Sequence, residues 1–204
     1  MQSAWLALGD SYTIGEGVAA NASWPAQLAA RLHGCGIDVG EPRIIATTGW
    51  TTDELSAAMD AAAFDVPYAL VTFSIGVNNQ YRGRPLHEYR AQFRALLQRA
   101  VALAGGDASR VLAVSIPDWS VTPFARTTGC DPRQIGQEID VFNDAARAET
   151  AALGARFVNV AAVSRSTEAR GELAADGLHP SAAQYARWVD AILPAAREIL
   201  LADA

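Results

Sequence analysis

The sequence predicts an α/β protein in which a five-stranded parallel sheet lies between two layers of helices, a three-layer α/β/α sandwich. Three observations predict it. Short apolar runs alternate with longer segments of helical period along the whole chain. One of those runs, Tyr68 to Ile75, is apolar almost throughout, as a strand covered on both faces must be. No repeat and no low-complexity linker interrupts the alternation, and parallel βα units of this kind join by right-handed crossovers.

The first strand is read over Ala4 to Leu8, followed at once by Gly9-Asp10-Ser11-Tyr12. A helix is expected from Trp24 to Leu32, with Ser23 as its N-cap before Pro25, and a second strand from Arg43 to Ala46. Thr51 or Thr52 caps a helix reaching about Ala63, and Tyr68 to Ile75 is the third strand. Leu86, Tyr89, Phe93, Leu96, Leu97, Ala100 and Val101 recur at helical spacing. They make Leu86 to Ala104 a long helix with one buried face, its aromatic residues core rather than ligand contacts, ended by Gly105-Gly106. Val111 to Ile116 is a fourth strand, stopped by Pro117. From Pro117 to Pro132 no period is visible; this stretch is expected to loop over the site and carries Trp119, Phe124 and Arg126 as first candidates for substrate contact. A helix over Arg133 to Leu153, a fifth strand over Arg156 to Val160 and a last helix from Ser181 to about Leu201 complete the pattern.

Composition narrows the function. At 204 residues the chain fits one domain, 1–204, with a substantial core. Its 50% hydrophobic and 19% charged residues are ordinary for a soluble globular protein, and no apolar run is long enough to span a membrane, so no stable membrane association is expected. A net charge of -6 and a pI near 5.0 lack the basic footprint of a nucleic-acid binder. The sequence contains no lysine, which excludes a lysine Schiff base, a pyridoxal phosphate anchor and a P-loop lysine together. Cys35 and Cys130 stand far apart, outside any zinc-like spacing, and are expected to be unpaired thiols; no metal or cofactor is expected. The N-terminus, Met1-Gln2-Ser3-Ala4-Trp5, has no basic region and no long apolar stretch, and a cytoplasmic location is expected.

Four patches carry chemistry. Gly9-Asp10-Ser11-Tyr12 puts a hydroxyl nucleophile at the exit of the first strand, where open α/β sheets present their sites. A serine needs a base within hydrogen-bond reach, and that base needs a group to fix its tautomer. Asp176-Gly177-Leu178-His179-Pro180 supplies both, with a spacing that lets the carboxylate meet one imidazole nitrogen while the other faces Ser11. Thr47-Thr48-Gly49-Trp50 and Gly76-Val77-Asn78-Asn79 each begin where a strand stops, on the same rim. Gly49 offers a backbone N–H and Asn78 a side-chain amide to a developing oxyanion. Each patch also has a plainer reading: a Gly-Asp-Ser turn, an Asn-Asn loop with left-handed backbone, an Asp-Gly turn and a histidine leading into the last helix. Their order, each at a strand end or helix start, favours an active site.

The order Ser11, Gly49, Asn78, His179 resembles the four blocks of the SGNH hydrolase superfamily, the GDSL esterases and lipases, over almost the whole chain. The resemblance implies a flavodoxin-like strand order, Ser11 as nucleophile, Asp176 and His179 as its partners, and an oxyanion hole of the Ser11 N–H, Gly49 and Asn78. Two departures stand out. The third block commonly reads Gly-x-Asn-Asp where this chain has Asn79, and Tyr12 stands where many members carry leucine. Asp10, Trp50, Asn79, Tyr81, Arg82 and Trp119 are the candidates for shaping the pocket.

The expected activity is hydrolysis of small carboxylic esters of short to medium acyl chain through an acyl-enzyme on Ser11. The family also implies thioesterase, lysophospholipase and carbohydrate O-deacetylase alternatives. Outside catalysis, a flavodoxin-like module binding a phosphate through Gly9 to Gly17, or an interaction scaffold, are the competing readings; Gly15-x-Gly17 lacks the third glycine of a dinucleotide fingerprint. Ser11 is not in the Gly-x-Ser-x-Gly of an ordinary α/β-hydrolase.

Overall fold

A computed structural model describes residues 2–202. Five strands, β1 (Trp5–Asp10), β2 (Arg43–Thr47), β3 (Leu70–Ser74), β4 (Val111–Val114) and β5 (Arg156–Val158), pair in parallel in the order β2-β1-β3-β4-β5. That is the flavodoxin-like order the resemblance implied. Eight α-helices connect them: α1 (Ser11–Ile14), α2 (Trp24–Gly34), α3 (Thr52–Ala61), α4 (Val77–Tyr81), α5 (Leu86–Leu103), α6 (Pro132–Ala152), α7 (Ala161–Arg165) and α8 (Ala182–Leu201). Helices α2 and α8 pack together on one face of the sheet, and α3, α5 and α6 on the other. The strands β1, β3 and β4 are buried along their whole lengths, and the core they share includes Trp5, Trp24, Trp188, Tyr89, Phe73 and Phe93. Among the described residues no helix is long and apolar enough to cross a membrane.

The strand order positions the site. β1 and β3 are neighbours whose next strands lie on opposite sides, β2 beyond β1 and β4 beyond β3, so the connections leaving their C-terminal ends run in opposite directions and open a crevice between them. Open α/β sheets bind ligands in that crevice. Ser11 follows β1, Gly49 follows β2, and Asn78 follows β3.

Local details differ from the sequence reading. β1 continues through Gly9 and Asp10, because Gly9 pairs with Ala46 and Ser74 and Asp10 with Thr47, and the ladder overrides their poor strand propensity. Ser23 occupies the N-cap of α2 without capping it; its hydroxyl donates instead to the Ala20 carbonyl at 3.0 Å. Thr51 is the N-cap of α3, and its N–H donates to the Glu54 carboxylate at 2.8 Å. The aperiodic stretch after β4 is fixed rather than loose. It holds two 3-10 turns, Trp119–Val121 and Phe124–Thr127, and Asp118 at its base is bound by Arg165 at 2.5 Å. Arg165 also reaches Asp140 at 2.7 Å, tying the stretch to α6. Cys35 and Cys130 are exposed free thiols.

Candidate active site

At the end of β1, Asp10 accepts the Tyr12 N–H at 3.1 Å and so caps α1, turning Ser11 into the first residue of a four-residue helix. This sets the serine side chain against the turn before α8. There Asp176 Oδ1 accepts the Leu178 and His179 N–H groups at 2.9 and 3.0 Å, folding 176–179 into a tight Asx-type turn. Its second oxygen, Oδ2, meets His179 Nδ1 at 2.6 Å. His179 Nε2 lies 3.0 Å from Ser11 Oγ.

The carboxylate contact assigns the proton to Nδ1, which leaves Nε2 free to accept from the serine hydroxyl. Burial acts to raise the Asp176 carboxyl, but hydrogen bonds from the His179 ring and from the Leu178 and His179 N–H groups outweigh it and hold the group below its ordinary range. Asp176 therefore stays ionised beside the imidazole. Ser11 and His179 are both buried. This row can carry a proton from hydroxyl to imidazole and stabilise the resulting charge.

The oxyanion candidates face the same point. Gly49 has φ of 85°, a left-handed conformation that disfavours any other residue. Two neighbours fix this segment. Arg82 Nη2 donates to the Gly49 carbonyl at 2.5 Å, and Asn78 Nδ2 donates one hydrogen to the Trp50 carbonyl at 2.9 Å, leaving its second for the cleft. Asn78 itself is carried on α4, which begins at Gly76. Gly76 has φ of 128°, and a Cβ there would lie 2.4 Å from the Tyr89 ring, so only glycine lets the chain turn into α4 at this point.

Ser11, Gly49, Asn78 and His179 open into one cleft of about 150 Å³. Its walls are Tyr12, Thr48, Val77, Leu178 and an aromatic group of Tyr81, Trp119 and Phe124, whose ring centroids lie 5.5 to 6.2 Å apart. Trp119 is held in place by its indole N–H, which donates to Gln80 at 2.8 Å; Gln80 in turn donates to Glu138 of α6 at 2.8 Å.

Of the predicted pocket residues, Tyr81 and Trp119 line the cleft and four do not. Asp10 is buried as the cap of α1, with 2% of its surface exposed. Asn79 is fully buried and turned to α3, accepting the Thr52 N–H at 3.1 Å and donating to the Thr52 hydroxyl at 2.7 Å. Trp50 packs against the core and contributes only its carbonyl to Asn78. Arg82 sits behind the wall, bridging Gly49 and Glu54. Arg126, expected over the site, instead lines an outer groove with Pro132 and Arg170. Tyr12, Thr48, Val77 and Leu178 were not predicted to line the pocket; each adjoins a predicted residue in sequence, and that adjacency was the available signal. Among the described residues no cluster of His, Cys, Asp or Glu is arranged to hold a metal.

Comparison with known proteins identifies the fold and the family. Solved structures with the same fold include TesA, at 22% identity and TM-score 0.75, the alignment covering 96% of this chain and 99% of that one. LAE5, an alpha/beta hydrolase enzyme from the metagenome of Lake Arreo, Spain, aligns at 20% identity and TM-score 0.71 over 97% of this chain and 96% of its own. Axe2, an acetylxylan esterase from Geobacillus stearothermophilus, aligns at 19% identity and TM-score 0.72 over 95% and 94%. No curated protein sequence matches the chain. The model of the GDSL-like lipase/acylhydrolase family matches residues 7–187, a span that contains Ser11, Gly49, Asn78, Asp176 and His179 alike. The chain belongs to the GDSL-like lipase/acylhydrolase family of hydrolases.

Proposed function

We propose that the protein is a serine esterase that hydrolyses carboxylic esters of short to medium acyl chain through an acyl-enzyme on Ser11. The observation that carries this reading is the hydrogen-bonded row Ser11 Oγ, His179 and Asp176, at 3.0 and 2.6 Å, opening into the same cleft as Gly49 and Asn78. Ser11 Oγ attacks the ester carbonyl carbon while its proton passes to His179 Nε2. The carbonyl oxygen becomes an oxyanion held by the Ser11 and Gly49 N–H groups and the second Asn78 amide hydrogen. His179 then gives the proton to the departing alkoxide, and a water activated by the same nitrogen releases the acid.

The size of the cleft supports a short acyl group. An apolar cavity of about 150 Å³ holds a molecule the size of benzene, and this cleft has that volume with largely aromatic and aliphatic walls. An acetylxylan esterase among proteins of the same fold fits an ester of this size.

The test is a p-nitrophenyl ester series from acetate to palmitate, run with wild type, Ser11→Ala and Asp176→Asn. Rates are expected to be highest at the short end, to vanish in Ser11→Ala and to fall by about 10⁴-fold in Asp176→Asn. Full activity in Ser11→Ala sinks the assignment. Acyl thioesters and acetylated xylan, assayed alongside, identify the preferred leaving group.

A further inference from the structure

We propose that Tyr12 is a positioning residue for His179, and that the face of its ring stabilises the imidazolium formed when His179 takes the Ser11 proton. The inference rests on the serine-hydrolase reading above. The ring centroids of Tyr12 and His179 lie 4.9 Å apart with the planes at 51°. A cation within about 6 Å of an aromatic centroid is attracted by the ring quadrupole, and the attraction strengthens where water is excluded. Both conditions hold, since Tyr12 is 4% exposed and His179 7%.

The ring is also held still. Tyr12 stacks on Trp188 of α8 at 6.1 Å and 15°, and Trp188, fully buried, meets Tyr185 edge-on at 5.4 Å. The last helix thereby fixes the ring that the imidazole packs against. Leucine, common at this point of the block, would fill similar space without a charged-state preference. Burial raises the Tyr12 phenol well above its ordinary titration range, so the ring is neutral where an esterase works.

The other titratable groups around the pair are the same in every variant. Asp176 faces His179 from its own turn, while Asp10 from β1 and Asp118 from the segment after β4 act on Tyr12. From α8, Tyr185 is the titratable neighbour, and burial holds it protonated. Changing ring electronics at position 12 leaves all of these in place. The Ser11 proton is more readily accepted when its destination is stabilised, so the effect belongs in kcat and in the titration of His179, not in KM.

The test places phenylalanine, 4-fluorophenylalanine and 3,4,5-trifluorophenylalanine at position 12, alongside Tyr12→Leu. Plateau kcat and KM are measured on the best p-nitrophenyl ester, and the His179 ring resonance, assigned by its loss in His179→Asn, is titrated by NMR. Tyr12→Phe keeps the ring and is the reference against which the fluorinated rings are read. Tyr12→Leu is expected to lower kcat by about 2- to 30-fold at constant KM and to move the His179 midpoint to lower pH. Fluorination, which drains the ring face at nearly constant shape, is expected to lower both in step. Equal kcat and equal midpoints for the phenylalanine and trifluorophenylalanine proteins overturn the proposal, as does a loss of kcat with no movement of the midpoint. The NMR arm needs no substrate, so it decides the ring–imidazole interaction even if Ser11 proves not to be the nucleophile.

Discussion

Asp10→Asn is expected to make the folded protein more stable above neutral pH, because the carboxylate it removes is buried at a cost. Burial pushes the Asp10 carboxyl up to about 7, from 3.8 in a solvated chain; the Tyr12 N–H, which it accepts, lowers it only in part. The folded value lies above the unfolded one, so the sign is fixed. Below pH 3.8 both states hold the proton and the full stability is present. As pH rises toward 7 the unfolded chain releases the proton while the folded one keeps it, and stability falls at about 1.4 kcal/mol per pH unit. Over roughly three units the loss is about 4 kcal/mol. Asparagine keeps an oxygen to cap α1 and cannot ionise. Urea unfolding of wild type and Asp10→Asn at pH 4, 6 and 8 reads the effect as a difference of differences, in which every other titrating group cancels. The variant is expected to gain about 4 kcal/mol relative to wild type between pH 4 and pH 8. A gap that stays constant to within about 1 kcal/mol over that range refutes the reasoning.

Four further substitutions separate chemistry from architecture. Asn78→Ala is expected to lower kcat by about 10² to 10³-fold on short p-nitrophenyl esters, with KM little changed, because it removes the proposed oxyanion donor. Its neighbour behaves oppositely: Asn79→Ala leaves the buried Thr52 N–H without its partner, while the Thr52 hydroxyl keeps only Gln92. It is expected to cost about 2 kcal/mol in urea unfolding while preserving kcat per folded molecule. Arg82→Ala frees the Gly49 carbonyl and is expected to lower kcat about 10-fold at constant KM, with thermal unfolding barely moved because its ion pair with Glu54 is solvent-exposed. Trp119→Ala removes a wall of the cleft, and the acyl-length optimum in the same ester series is expected to lengthen by about two carbons.

The fold was legible where burial is uniform. β3 and β4 are covered on both faces, so their apolar runs stand out, and α5 shows its period over 18 residues. The helices α1, α4 and α7 escaped notice because four or five residues make barely more than one turn, too few for a 3.6-residue period to register. The triad and oxyanion candidates were legible for a different reason. Each sits at a boundary between elements, where a polar residue has no packing role to explain it, and the strand order brings those boundaries to one crevice.

The helix α4 decides which residues after β3 reach the pocket. Read as a loop, the stretch gives no reason to separate Asn79, Tyr81 and Arg82 as pocket candidates. On a helix, successive residues point about 100° apart, and positions three or four apart share a face. Val77, Asn78 and Tyr81 form such a set and line the cleft. Asn79 and Gln80 fall on the other sides, one facing Thr52 of α3 and the other reaching Glu138 of α6. Trp50 and Arg82 stand outside the cleft, and the part they play is one no side-chain pattern reveals. Both reach the segment around Gly49 and Asn78 through backbone carbonyls: Trp50 supplies the one that accepts from the Asn78 amide, and Arg82 donates to that of Gly49. A carbonyl is common to every residue, so its use leaves no mark in the sequence until the fold shows which donor reaches it.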